Sequence, residues 1–527
     1  MPHTLYTALN RRFGAAPPPT AAATSTRARL DTLRDRLPVD VLQPLPTPPT
    51  SPRAKVIVVG AGFAGLSTGY FLAYLGYEVV VYEAGDRLGG RVWTIDELIP
   101  GRLVEAGAEL IGYNHAVWIG LAQVFGLGFS QVTDDAVFER LGLASPLWLG
   151  DRRIEPAEAE WIYEEMERAL ATLDRPSLDV DPYEPWTSPH AAALDATPLS
   201  SWKEQLQLPQ LVDEAIEATF ADDNVTPTRQ QSYLGVLAAI NAGGGSAYWD
   251  ETETLRCESG NDSLARCLAE ALQRYPFGEV RLGTRVITLS VNGPRATVTA
   301  VAGRTVITDD ADVVVLATPP STWKDMGFYP GAAADIHLGP AVKFLSAVDT
   351  RYWLAAGTAP SGMSDVMGEV WESTDNQTCT PSQQVGLSVF AGATSAERAL
   401  THPHPEQWYT DHLEKLLPGY AQHYTAQQFM PWPKIPHTLA GYSCPEPGQV
   451  TTAQRALSEP FDQRIVFAGE HVCPCFFGYM EGTLESGLLA MGHAAQITGA
   501  GFTHAEVVDA LRAAAQAGRR QASRGAG

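Results

Sequence analysis

Gly60, Gly62, Gly65 and Glu83 are the residues whose types and spacing first announce chemistry. The glycines read G-x-G-x-x-G directly behind the β-branched run 56–59 and open an apolar segment over about 63–75. In a strand–turn–helix setting each glycine has its own task. Gly60 permits the tight turn, Gly62 lets the backbone approach a diphosphate, and Gly65 lets the helix lie close on the strand. Backbone N–H groups at the helix start, Ala64 among them, then face the anion at the positive end of the helix dipole. A second strand over 78–82 leads to Glu83 and Ala84, roughly 20 residues past the glycines, where a ribose-binding acid belongs. The order strand, turn, helix, strand, acid predicts a dinucleotide site.

The continuation E-A-G-D-R-L-G-G-R sets Gly90 and Arg91 just beyond that acid. A nicotinamide site has no need of a second glycine pair and an arginine there. A loop wrapping the diphosphate of a wholly buried FAD does, with Arg91 adding charge-assisted hydrogen bonds. On these motifs the chain resembles the flavin-containing amine oxidase family, which includes monoamine oxidases, polyamine oxidases and L-amino acid oxidases. The resemblance runs over about residues 53–499.

It carries over to particular residues. The stretch 101–118 fits the family pattern acid-x-G-x-x-x-x-G beside the flavin ring, with Glu105, Gly107, Glu109 and Gly112 in its slots. L-amino acid oxidases place a carboxylate-binding arginine in this segment. Here Glu109, Leu110 and Ile111 stand there, leaving Arg256 to reach in from elsewhere. Val286 matches a valine whose backbone meets the adenine. Lys343, in the run A-V-K-F-L, matches a lysine bonded through water to flavin N5. An inward ammonium in so apolar a run is costly without partners, and the plain alternative is a lysine on the solvent face of a half-buried strand. Trp432 and Gly441-Tyr442 follow the pattern W…G-Y; relatives that attach flavin covalently carry a cysteine where Gly441 stands, so the resemblance implies non-covalent FAD. Gly469 and Glu470 match a pair near the ribityl and diphosphate groups. Tyr479 and Met480 open a helix whose dipole and free N–H groups stabilise negative charge on the flavin pyrimidine ring. Tyr442 and Tyr479 match an aromatic cage that steers an amine toward the flavin, against a reading as two ordinary core tyrosines.

The activity implied is oxidation of an amine C–N bond by FAD with molecular oxygen, giving an imine and hydrogen peroxide. An L-amino acid oxidase or monooxygenase is the next reading, followed by a flavin desaturase or isomerase and by a non-catalytic flavin-binding protein. The substrate is accordingly a small amine or amino acid.

The elements that must hold these residues follow an α/β plan. The expected architecture is a Rossmann-like FAD-binding domain built from separated segments (53–125, 251–330 and 440–499) plus a mixed α+β substrate domain (126–250 and 331–439). Amphipathic periodicity over about 125–250 predicts helices there. The loop 243–253 brings Tyr248 and Trp249 after a glycine run, equally suited to lining a cavity or to packing. Residues 1–52 read as an extension or linker, with a short polar helix over 24–37 followed by a proline-rich stretch; it either lies over the body or supports a homodimer. Residues 500–527 read as a tail.

At 527 residues the chain is too long for one core and suggests roughly three domain-sized units. A formal charge of −23 argues against nucleic acid or an anionic membrane as partner. There is no apolar run of spanning length and no apolar core behind the first arginines, so the chain reads as cytoplasmic. Its six cysteines lack zinc-type spacing. Cys473 and Cys475 read as small residues beside a packed cofactor, and no metal is expected.

Overall fold

The computed structural model describes residues 19–133, 140–150, 152–377 and 384–525, with Leu5, Leu9 and Phe138 besides. Five short strands form an all-parallel sheet in the order Ile465–Phe467, Val313–Leu316, Lys55–Val59, Glu78–Tyr82, Gly278–Arg281. Its central strands are Val-rich and buried on both faces, as a sheet covered by helices requires. The helix Phe63–Tyr74 covers one face, and Met480–Thr498 lies against it. A three-stranded antiparallel meander, Thr284–Asn292, Arg295–Ala302 and Thr305–Ala311, adjoins the other. The stretch EVRLGTRVITLSV spans two strands. Gly283 turns with φ +59° between Gly278–Arg281 in the parallel sheet and Thr284–Asn292 in the meander.

A second, seven-stranded sheet stands apart from the first. Its core pairs Tyr424–Pro431, Ala341–Val348, Val385–Gly392 and Gly368–Glu372 antiparallel. Every residue of Ala341–Val348 is buried, so Lys343 has no solvent face to occupy. The helices Pro156–Ala171, Gln210–Asp223 and Tyr233–Gly243 supply a separate apolar cluster around Ile162, Ile216 and Leu237.

The segments read as extension and tail pair with one another. Pro19–Arg36 lies along His504–Gly525, and Leu30, Leu33, Val507 and Leu511 join the main core. The prolines suggested linker because these leucines are sparse among polar residues; their partner face is some 470 positions away and cannot be read locally.

His493 and His504 tie this last helix to Met480–Thr498, their rings stacked at 3.6 Å. Burial pushes His493 down to about 3 and His504 to about 4. Both are therefore neutral when folded, and the unfolded chain takes up their protons first as pH falls below about 6.5. Their contribution to stability is present above that pH and is lost toward pH 4, by up to ~1.4 kcal/mol per pH unit for each histidine. A pH series of melting temperatures should fall less steeply from pH 7 to 5 in His493→Gln than in the parent; parallel curves would contradict this.

Candidate active site

The parallel sheet and the seven-stranded sheet frame a cavity of about 590 Å³. At one end lie Gly60, Gly62, Ala64, Glu83, Ala84, Gly90, Arg91 and Val286; at the other lie Lys343, Trp371, Phe390, Tyr442 and Tyr479; Glu109, Trp432, Gly469, Glu470 and Met480 line it too. Glu105, Gly112 and Arg256 are outside the lining, and so is Gly65. A Cβ there would fall 1.9 Å from the Gly60 carbonyl oxygen, so its part is the close helix–strand approach.

The diphosphate end fits a dinucleotide. Gly60 turns at φ +106°, and its N–H donates to the Tyr82 carbonyl at 2.7 Å. Phe63–Tyr74 begins behind Gly62 with no side-chain cap, which leaves first-turn N–H groups for an anion. Glu83 accepts from the Ala61 and Gly85 N–H groups, both at 2.7 Å, and so clamps the glycine loop from behind. Arg91, expected on a diphosphate, donates to Glu470 Oε1 and to the Gly441 carbonyl, both at 2.8 Å. The reason is that buried Glu470 needs a cation: burial pushes its carboxyl up, and Arg91, with Ser443 and the Gly478 N–H, brings it below its usual range. Glu470 thus fixes the loops around the cavity. Trp432 donates to the Ala106 carbonyl at 3.1 Å.

The other end holds a buried ion network. Lys343 Nζ donates to Glu109 Oε2 at 2.6 Å and to the Glu105 carbonyl at 2.8 Å, and lies 5.4 Å over the Trp371 ring. Glu109 Oε1 accepts from Arg256 Nε and Trp371 Nε1, each at 2.8 Å. Burial raises Glu109, but Lys343 and Arg256 outweigh it and hold the carboxyl below its usual range. Glu105, with weaker compensation, is pushed by burial up to about 7. Arg256 also pairs with Asp375 and donates to the Glu372 carbonyl at 3.2 Å. The arginine left to meet a substrate carboxylate is therefore held by two carboxylates, away from the cavity lining.

Tyr442 donates to the Asp223 carbonyl at 2.7 Å and stacks on Phe390 with an interplanar angle of 17°. Tyr479 is hydrogen-bonded to Tyr248 at 3.2 Å between hydroxyl oxygens. Its neighbour Trp249 packs edge-on to Phe220 in the helical core, so the two aromatics of that loop divide between site and packing. Met480–Thr498 starts behind Tyr479 with no side-chain cap. Trp371 and Phe390 escaped the sequence reading because G-E-V-W-E and V-G-L-S-V-F-A-G show only strand propensity. Cys473 Sγ lies 3.6 Å from Cys475 Sγ and 3.4 Å from Glu485 Oε2, all buried; Cys379 lies outside the described residues.

A parallel sheet with a glycine-loop diphosphate end, joined by one cavity to a lysine on a second sheet and to two tyrosines beside it, defines a flavoprotein oxidoreductase fold. Residues 63–492 match the family described as flavin containing amine oxidoreductase, and the chain belongs to it. A putrescine oxidase of Kocuria rosea is 28% identical over 346 residues, covering 62% of this chain and 71% of that one. Among solved structures, a putrescine oxidase bound to putrescine superposes with a TM-score of 0.71 at 22% identity, covering 82% and 97% of the two chains. Cyclohexylamine oxidase from Brevibacterium oxydans gives 0.71 at 21% identity, covering 85% and 99%. The chain is an FAD-dependent oxidoreductase acting on amine C–N bonds. Among the described residues, no helix is long and apolar enough to cross a membrane.

Proposed function

We propose that the chain is an oxidase of amines lacking an α-carboxylate, with molecular oxygen as acceptor: RCH2NH2 + O2 + H2O → RCHO + NH3 + H2O2. The observation that carries this reading is Arg256, bound between Glu109 and Asp375 where a carboxylate anchor would have to be free. The arginines that do line the cavity are Arg87, Arg91 and Arg285; Arg87 donates to three backbone carbonyls, Arg91 to Glu470 and Gly441, and Arg285 stands beside Val286 at the glycine-loop end. A putrescine oxidase relative is consistent with an amine substrate.

In this reading the glycine loop and the N-terminus of Phe63–Tyr74 hold the diphosphate of FAD, and the N-terminus of Met480–Thr498 faces its ring. Bound FAD supplies the two-electron acceptor that side chains lack. Tyr442 and Tyr479 orient the amine, and burial around them favours its neutral, reactive form. Lys343, positioned by Glu109, presents a fixed cation at the same end of the cavity. Segments 53–125, 251–330 and 440–499 form the cofactor half, and 126–250 and 331–439 the substrate half.

The flavin is held without a covalent bond. Gly441 stands where a linking side chain would be, and a Cβ there would lie 2.6 Å from the Ala341 nitrogen and the Gly339 carbonyl oxygen. Acid precipitation should therefore leave a yellow supernatant and a colourless pellet; a yellow pellet would contradict it. Peroxide release across amines and L-amino acids tests the main reading. Turnover of amines alone is expected, and turnover of L-amino acids alone would overturn it.

A further inference from the structure

The loop that leads into the helix Met480–Thr498 holds a cluster that amine chemistry leaves unused. Cys473 and Cys475 stand between Glu470, which frames the cavity, and Tyr479 of the cage. Glu485 lies on the second turn of the helix. Loop and helix press together, since a Cβ at Gly482 would fall 2.0 Å from the Phe476 carbonyl oxygen. Three side chains meet where they touch. Cys473 Sγ lies 3.6 Å from Cys475 Sγ and 3.4 Å from Glu485 Oε2, and Cys475 Sγ lies 3.9 Å from the same oxygen.

Those are separations that a single metal ion imposes on its ligands. Tetrahedral zinc, with bonds of ~2.3 Å to sulfur and ~2.0–2.2 Å to oxygen, sets S···S at ~3.8 Å and S···O at ~3.5–3.7 Å. Among the described residues this is the one group of three His, Cys, Asp or Glu side chains close enough to share an ion. Both cysteines are 0% exposed and Glu485 is 4% exposed. The Tyr183 hydroxyl donates to Glu485 Oε1 at 2.9 Å, which leaves Oε2 turned to the sulfurs. A carboxylate ligand keeps an outer hydrogen bond of this kind. The Cys475 and Phe476 backbone N–H groups are directed at Cys473 Sγ, which favours thiolate over thiol.

Glu485 itself asks for a cation. Its partners are a phenol and two sulfurs, and it has no ion pair among the described residues. Thiols offer it only weak donors, and a buried carboxylate is costly on those terms. Glu481, one turn earlier, has no such need, because the Val117 and Trp118 N–H groups reach its two oxygens at 2.7 and 2.9 Å. A small cavity of about 60 Å³ borders Val472, Pro474 and Tyr183 and gives an ion a way to the loop.

We propose that Cys473, Cys475 and Glu485 bind a zinc ion that pins this loop to the helix. Sulfur selects a thiophilic metal, and the carboxylate favours zinc over cuprous copper. Each thiol releases its proton as its Zn–S bond forms, and water takes the fourth position. None of the three ligands lines the flavin cavity, so the role is to hold the wall that carries Glu470 and Tyr479. The spacing C-P-C lacks the usual C-x-x-C of zinc sites, and Glu485 comes 10 positions later, which is why the sequence pointed to packing instead.

The test uses holoenzyme purified without a metal-affinity step, incubated with zinc and passed through gel filtration. Elemental analysis should find about one zinc per chain, and cadmium in its place should give ultraviolet cadmium–thiolate absorption. The double variant Cys473→Ser/Cys475→Ser should bind zinc at least tenfold less and lose that absorption, with FAD content unchanged. Glu485→Gln, which keeps a partner for Tyr183, should weaken zinc binding at least tenfold. Saturating zinc should raise the temperature of flavin release in the parent and leave that of the double variant where it was. A parent with no bound zinc and no cadmium–thiolate absorption would overturn the site, whether or not the variants fold. Zinc retained in full by the double variant would do the same.

Discussion

Lys343→Met is expected to slow turnover by about 10²–10⁴-fold while FAD stays bound. Methionine nearly matches the lysine stem in length, so the buried strand keeps its packing. Glu109 would still hold Arg256 and Trp371 at 2.8 Å, so the wall behind the substituted side chain keeps its polar contacts. What disappears is the ammonium fixed between Glu109 and the Glu105 carbonyl. Its charge is oriented before any substrate arrives, which is the condition under which a buried cation assists redox chemistry most. Rapid mixing with amine and then with oxygen would locate the loss in one half-reaction, and absorbance at the flavin band would report cofactor content. Wild-type rates in both halves would remove the lysine from the mechanism.

The second large effect belongs to Arg256. Arg256→Met is expected to destabilise the fold by ~3–5 kcal/mol, because it strands a buried carboxylate. Glu109 keeps Lys343, but Asp375 loses its cation. The temperature at which flavin fluorescence appears on heating should drop clearly, with the KM for amines little changed in the surviving holoenzyme. The opposite pattern, an intact melting point with a selective loss of L-amino acid binding, would make Arg256 a carboxylate anchor after all.

The two halves of the site differed in how much of them local sequence discloses. The strand, the tight glycine turn and the helix Phe63–Tyr74 were legible because backbone geometry there demands glycine at fixed spacing. Lys343 was legible as an anomaly, a charge in an apolar strand, though its partner was not. Glu109 lies 234 positions away, and the pair forms only when two sheets meet. The pairing of Arg91 with Glu470 was hidden in the same manner: each was read toward the cofactor, and each bonds the other across 379 positions. Trp371 and Phe390 carried no signal, since a strand buried on both faces loses the alternation that would mark its inward side. The helix pairing of the two ends was invisible for the same long-range reason.

The order of strands in the parallel sheet has a consequence for how the protein is made. Its edge strand, Ile465–Phe467, and the helix Met480–Thr498 that backs the glycine loop emerge from the ribosome some 400 residues after that loop. Pro19–Arg36 waits longer still for His504–Gly525. A cradle assembled from such distant pieces closes only after these later segments have been made, and contacts of this separation form slowly. The glycine loop therefore waits through some 400 residues of synthesis without the walls that would hold a flavin, and cofactor capture follows the pairing of these distant segments.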